Sequence, residues 1–341
     1  MKSHWKRCRL IIVITLCFGP LPTELWADPL PDEVVIATWN VEWMFDEYTG
    51  DNYAELAREQ SAPNRAEWEW KRNGVAAAIA EMNPTILGLQ EVEGQRTLYY
   101  LDQQLKKAHQ LDFRTAFIQG GDYFTEQDVA LMYRSGLVKY WRCEQSKEMW
   151  DSKQYYNVQK HLFGEFQWGT EPNGESLVVL SVHFRAMPKA AAIRVKQARL
   201  VRYWISDLIQ RQANVVVMGD FNTEETAGET TSSSEMGILL GLDTADASDD
   251  LVDLHHHLEQ NQRGTHLLPG KQFDRILVSP SLIDDEPGRK DLVFQSIELR
   301  KDVVVRGKRQ DADHWNKYYE IPQQERDLSD HYPLVAKFVF Q

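Results

Sequence analysis

The run Val215-Val216-Val217-Met218-Gly219-Asp220-Phe221-Asn222 is the strongest single constraint in this 341-residue sequence. Its consecutive apolar residues, mostly β-branched, favour a strand buried on both faces, because a half-exposed strand would alternate polar and apolar. The run halts at a glycine and at once presents a carboxyl and an amide, groups that strands disfavour. The same ending recurs along the chain. Asn40 ends the run 34–40 and Glu42 follows it; Gln90 and Glu91 lie at the end of 85–92; His183 sits in 177–184, Asp274 in 272–279, and Asp330-His331 precede 333–340. One such residue is ordinarily a turn former or a satisfied core group, but a set of them at strand ends reads as a site.

Between these runs lie helices. Residues 65–82 and 95–108 read as helical, and in 189–210 Ile193, Leu200, Val201, Trp204 and Leu208 recur at three- or four-residue steps, one face of a long helix. Residues 128–134 read as a further buried strand, and 137–142 is strand-like. Continuous apolar strands mixed with helices predict α/β sheets covered on both faces. With 43% hydrophobic and 26% charged residues the chain can bury a large core. Its length allows two domains or one large sandwich. The polar stretch 223–235 reads as a surface loop, and 284–328, charge-rich with little periodicity, as an extended insertion.

The N-terminus reads as a processing signal. Lys2, Lys6, Arg7 and Arg9 precede the apolar run 10–18, which is too short to span a bilayer, and Leu25-Trp26-Ala27 ends in a small residue suited to cleavage. Residues 1–27 are therefore expected to be a signal peptide and 28–341 the functional chain, exported to the periplasm or medium, with no stable membrane span after cleavage. Cys143 is then the one cysteine left, so no internal disulfide is expected. The whole chain carries 38 basic and 51 acidic residues, a net charge of −13, and losing the basic leader makes the remainder more negative still. Such a chain does not hold polyanions by a broad basic surface. A phosphate substrate would be gripped locally, by a few residues or a metal.

The segments TWNVEW, LQEVE, SVHFR, GDFN, FDRILVS and SDHYP, in that order, resemble the endonuclease/exonuclease/phosphatase superfamily, which includes deoxyribonuclease I, exonuclease III-type nucleases, neutral sphingomyelinases and inositol-polyphosphate 5-phosphatases. The resemblance runs from Asn40 to Pro333. It implies a four-layer α/β sandwich, two packed mixed β-sheets flanked by helices, as one catalytic domain. Glu91 matches the family's principal metal-binding glutamate, with Asn40 and Glu42 nearby, and Asp330 a second acidic position at the metal. Mg²⁺ suits such oxygen ligands; Mn²⁺ could replace it and Ca²⁺ act as an accessory. Asp220 and Asn222 match residues that position the nucleophile and hydrogen-bond a phosphate oxygen. His331 matches the histidine beside the scissile phosphate and Asp274 its carboxylate partner. Whether His331 acts as a base or stabilises phosphate charge is open from sequence.

His183 matches the second histidine of the deoxyribonuclease I and sphingomyelinase branches, a candidate acid for the leaving oxygen. Its acidic partner is expected near Glu126 or Asp128, neither securely in register. Arg185, on the same strand face as His183, is a candidate phosphate contact or a surface salt bridge, and Arg194 a weaker one. Other features read as ordinary structure. His255-His256-His257 cannot all converge on one ion and is taken as a helix end or loop; Asp313-His314 imitates Asp330-His331 but runs into Trp315 and is taken as a decoy. Trp43 and Trp168 are candidates to stack on a base or sugar. The expected activity is an exported Mg²⁺-dependent phosphodiesterase, in first place a nuclease acting on DNA or RNA. A phosphoesterase for a lipid headgroup or small phosphate and a catalytically inactive binding protein are the alternatives. No protein partner is indicated.

Overall fold

Alternate residues of the long strands serve different cores, and this fixes the layers. In the computed structural model, which describes residues 28–170, 174–285, 291–307 and 313–341, the strands in chain order are β1 (Glu33–Met44), β2 (Ile86–Val92), β3 (Arg114–Phe117), β4 (Asp128–Tyr133), β5 (Leu137–Trp141), β6 (His161–Trp168), β7 (Glu175–His183), β8 (Val215–Asp220), β9 (Val252–Asp253), β10 (Asp274–Val278), β11 (Leu292–Leu299) and β12 (Leu334–Phe340). They form two six-stranded mixed sheets, ordered β11-β12-β1-β2-β4-β3 and β5-β6-β7-β8-β10-β9.

Val34 and Ile36 of β1 meet Leu177 and Val179 of β7 between the sheets. Ala37 and Trp39 face the other way, onto the helices Arg65–Met82 and Gln95–His109. Val178, Leu180 and Val182 face the helix Ala191–Gln210. The period of two thus gives helix, sheet, sheet, helix, the four layers expected. The helix Arg65–Met82 begins where the Asn64 side chain accepts the Glu67 N–H, and ends at Asn83, whose φ of 47° is left-handed.

Four strands escape the apolar-run reading, among them β9, whose two residues are too few to show a pattern. β6 alternates Leu162 and Phe166 with polar Glu165 and Gln167, and β3 is short. β11 lies inside the stretch read as an insertion: it is an edge strand, bulged between Phe294 and Ser296, with its outer residues exposed, so it never shows a continuous apolar run. The expected signal peptide lies outside the described residues. Among those that are described, no helix is long and apolar enough to cross a membrane.

Candidate functional site

Strand register brings the central residues together. β7 and β8 run parallel with His183 beside Asp220, and β8 and β10 antiparallel with Asp274 on the other side of Asp220. The close pairing needs Gly219: its φ is +137°, and a Cβ there would lie 2.0 Å from the Val182 carbonyl oxygen.

The other sheet contributes through an irregularity. β1 and β2 pair Asn40 with Gln90, after which their register shifts. Gln90 points between the sheets, where its Nε2 donates to Ser181 Oγ at 3.0 Å. In a regular strand Glu91 would point away from the site, but its φ of +64° at the register shift turns the carboxylate back. Glu91 then accepts hydrogen bonds from Asn40 Nδ2 at 3.1 Å and from the Trp43 N–H at 3.1 Å. Glu42, Trp43 and Asn222 also have left-handed backbones, so the strained positions include four around this one cleft.

One amide joins the two sheets. Asn40 Nδ2 also donates to Asp220 Oδ2 at 3.0 Å, while its Oδ1 accepts the Glu42 N–H at 2.9 Å. Asn40 therefore turns its nitrogen toward the carboxylates and bridges them, with Oδ1 toward the Glu42 N–H. Asp220 receives the Asn222 N–H at 2.8 Å and Asn222 Nδ2 at 3.1 Å. His183 Nε2 stands 3.5 Å and His331 Nε2 3.8 Å from its Oδ2. His331 Nδ1 donates to Asp274 Oδ2 at 2.8 Å. Glu91, Asp220 and His331, widely separated in sequence, thus line one cleft of about 830 Å³.

The two histidines differ electrostatically. Burial alone would push His331 down, but the Asp274, Asp220 and Asp330 carboxylates hold it well above the ordinary imidazole range. His183 is pushed well below that range by burial, with Lys160 and His331 adding positive charge nearby. The two rings are thus pushed in opposite directions, His331 toward the imidazolium and His183 toward the neutral imidazole. Burial raises Asp220. Burial and the neighbouring Asp330 push Glu91 up to about 7. Asp330, despite burial, is held low by His331 and His266.

Several residues near the site gave no sequence signal or the wrong one. His266 accepts the Leu268 N–H at Nδ1, leaving Nε2–H facing Asp330 Oδ2 at 3.4 Å. It occupies a loop, with no apolar run to mark it. Lys160 also lines the cleft and pairs with Asp122 at 2.9 Å. His314, taken as a decoy, does not line the cleft but supports it from behind: its Nε2 lies 2.7 Å from Glu42 Oε2, the same oxygen that accepts the Asp330 N–H at 2.9 Å. Trp315 Nε1 donates to Asp330 Oδ2 at 2.8 Å. Glu42 is therefore engaged by His314 and the Asp330 backbone.

Other expectations need correction. Glu126 accepts the N–H groups of Tyr53 and Ala54, and Asp128 that of Gly120, so the described contacts of neither carboxylate include His183. His183 Nδ1 has no hydrogen-bond partner among the described residues. Arg194 is fully buried against Glu235 at 3.0 Å and donates to the Arg185 and Met187 carbonyls, so it shapes the loop that carries Arg185 and is not free for phosphate. Arg185 itself lines the cleft, with no ion pair among the described residues. Trp168 is buried between the sheets, donating to Ser135 Oγ, while Trp43 does line the cleft. The three adjacent histidines form a short 3₁₀ turn, as expected.

Residues 35–339 match the sequence profile described as the Endonuclease/Exonuclease/phosphatase family. No curated protein sequence matches the chain. Among solved structures, the human Nocturnin catalytic domain with bound sulfate anion is similar at 16% identity and a TM-score of 0.56, covering 92% of this chain and 96% of that one. A family protein from Bacteroides thetaiotaomicron is similar at 16% identity and a TM-score of 0.56, covering 92% and 99%. Truncated Caenorhabditis elegans TDP2 is similar at 15% identity and a TM-score of 0.53, covering 90% and 98%. At these identities the likeness speaks to fold.

Proposed function

Because the chain belongs to the endonuclease/exonuclease/phosphatase family, a family of phosphate-ester hydrolases, we propose that it is an exported, divalent-metal-dependent phosphodiesterase that cleaves nucleic acid. The observation that carries the reading is the position of Asp220, between His183 and His331 and bridged by Asn40 to Glu91. Such a cluster serves hydrolysis better than it serves stability, since each buried charge costs solvation.

Asp220 Oδ2, steadied by the amides of Asn40 and Asn222, orients the attacking water and takes its proton. The His331 imidazolium, fixed in tautomer and direction by Asp274, lies where a phosphoryl oxygen gains negative charge, and its second N–H can donate to that oxygen. Neutral His183 orients a hydrogen bond at the same phosphate. The free guanidinium of Arg185 suits a flanking phosphate.

The residues also fit a hard cation. Glu91 is a half-buried carboxylate held by one amide and one backbone N–H, with His183 Nε2 3.9 Å away, and it is crowded by the charge of Asp330. Glu91 and Asp330 would hold Mg²⁺, with Mn²⁺ as a substitute, which when bound supplies Lewis-acid stabilisation of phosphoryl charge. Purified protein with Mg²⁺ should hydrolyse at least one of plasmid, linear duplex, single-stranded DNA and RNA, and EDTA should abolish the activity. All four intact would sink the nuclease reading. Recovery of the mature chain from the periplasm or medium, starting at or near Asp28, checks export.

A further inference from the structure

The floor and walls of the cleft differ in kind. The floor carries the charged cluster, whereas Trp43, Leu56, Phe124, Met187, Leu268 and Trp315 contribute apolar wall. Two of these are displayed in ways that core packing does not require. Trp315 is held at its Nε1 by Asp330, and one face stacks on the His266 ring with centroids 6.0 Å apart and planes 14° from parallel. It is nevertheless 46% exposed, so the rest of the indole is open beside the residues that would act on a phosphate. Phe124 is 67% exposed on a loop braced from within. Asp122 accepts the Phe124 N–H and pairs with Lys160, and Glu126 ties the loop to the backbone of Tyr53 and Ala54. A large ring presented from a braced loop into a cleft is a surface offered to a ligand.

Charge narrows the ligand. Lys160 pairs with Asp122 and Lys271 with Glu224, which leaves Arg185 as the cleft cation without an ion pair among the described residues. The chain as a whole is at −13. Duplex affinity depends on neutralising many phosphates, which this surface is poorly equipped to do. Unpaired nucleotides can instead gain affinity by stacking on rings, with few phosphate contacts. We propose that the cleft selects single-stranded nucleic acid, the base beside the scissile phosphate stacking on the open part of Trp315 and another base lying against Phe124. The inference rests on the phosphodiesterase reading and narrows it.

The test uses the full mature chain with Mg²⁺ and five substrates: a short single-stranded DNA, the matching RNA, the DNA with abasic residues around the cleaved bond, its duplex, and sphingomyelin vesicles. Methyl p-nitrophenyl phosphate serves as a small diester without bases. For the DNA or the RNA, kcat/KM should exceed that of the abasic strand and of the duplex by at least about five-fold. Phe124→Ala and Trp315→Ala should each shrink the base-to-abasic ratio, while Trp315→Phe, which keeps a ring, should preserve most of it. Because Phe124 is exposed, its variant keeps the test decisive even if Trp315→Ala folds poorly. Equal cleavage of base-bearing and abasic strands, preference for duplex, or preference for vesicles would overturn the inference. Hydrolysis of the small diester with no base preference would overturn it while leaving the phosphodiesterase reading intact; no hydrolysis of any substrate would remove both.

Discussion

The two halves of the cleft are built by different means. Asn40, His183, Asp220 and Asp274 are set by strand register, each fixed by its neighbours in a ladder. The opposite wall, around His266, Trp315 and Asp330, comes from loops and a single turn of helix, held by side-chain hydrogen bonds and by one isolated antiparallel bridge between His266 and His331. A ladder places a group through many bonds at once, so losing one side chain leaves the rest in position. A loop wall depends on each contact separately. The ladder half also carries acid–base groups, whereas each loop contact supports only part of the site, so function should fail abruptly in the first half and by degrees in the second.

The most severe effect should come from Asp220→Asn, which preserves shape and most hydrogen bonding but removes the proton acceptor. Single-turnover hydrolysis should fall by about 10³-fold. The melting temperature should stay level or rise, because burial penalises the Asp220 carboxylate and the amide carries no charge. His331→Ala should likewise cost orders of magnitude. Equal activity in either variant would mean the roles are misassigned.

Gly219→Ala tests the ladder itself. A Cβ in contact with the Val182 carbonyl, on a left-handed backbone, should cost about 2–4 kcal/mol in urea unfolding and take activity down with it. If activity survives with full stability, register is not what places His183 beside Asp220.

On the loop wall, Trp315→Phe removes one hydrogen bond to Asp330 while leaving a ring. A loss of about 1 kcal/mol, seen as roughly five-fold in kcat, is expected. A thousand-fold loss would show that the wall is as unforgiving as the strands.

The smallest effect concerns Asp128, at the start of β4. Burial pushes Asp128 up to about 7, although its Oδ1 accepts the Gly120 N–H. The folded state then binds a proton more readily than the unfolded state, whose carboxyl titrates near 4. The stabilising contribution is full below about pH 4 and is lost as pH rises toward 7. Asp128→Asn keeps the Gly120 contact and should flatten that part of the profile, measured by urea unfolding at pH 5 and pH 8 with EDTA present. An unchanged slope would place the acid's proton elsewhere.

The same division explains what could be read in advance. Buried strands advertise themselves as apolar runs, so Asp220, Asn40 and His183 stand out as polar groups at the ends of such runs. Trp315 and His266 lie in segments whose conformation is decided by distant partners, and local sequence carries no trace of that. The supporting contact of His314 is equally invisible locally, because its partner Glu42 lies 272 positions away. β11 was hidden for a related reason: an edge strand half open to solvent lacks the uninterrupted apolar signature. Glu91 was legible as a residue but not as a direction, since its aim depends on a left-handed backbone at a register shift.

The Asn40 amide, with one hydrogen on a carboxylate from each sheet, makes turnover a gauge of how well the sandwich is shut. Prying the sheets apart by a water layer would silence the enzyme long before either ladder melted. In a denaturant titration, loss of catalysis should run ahead of the loss of β-structure seen by circular dichroism.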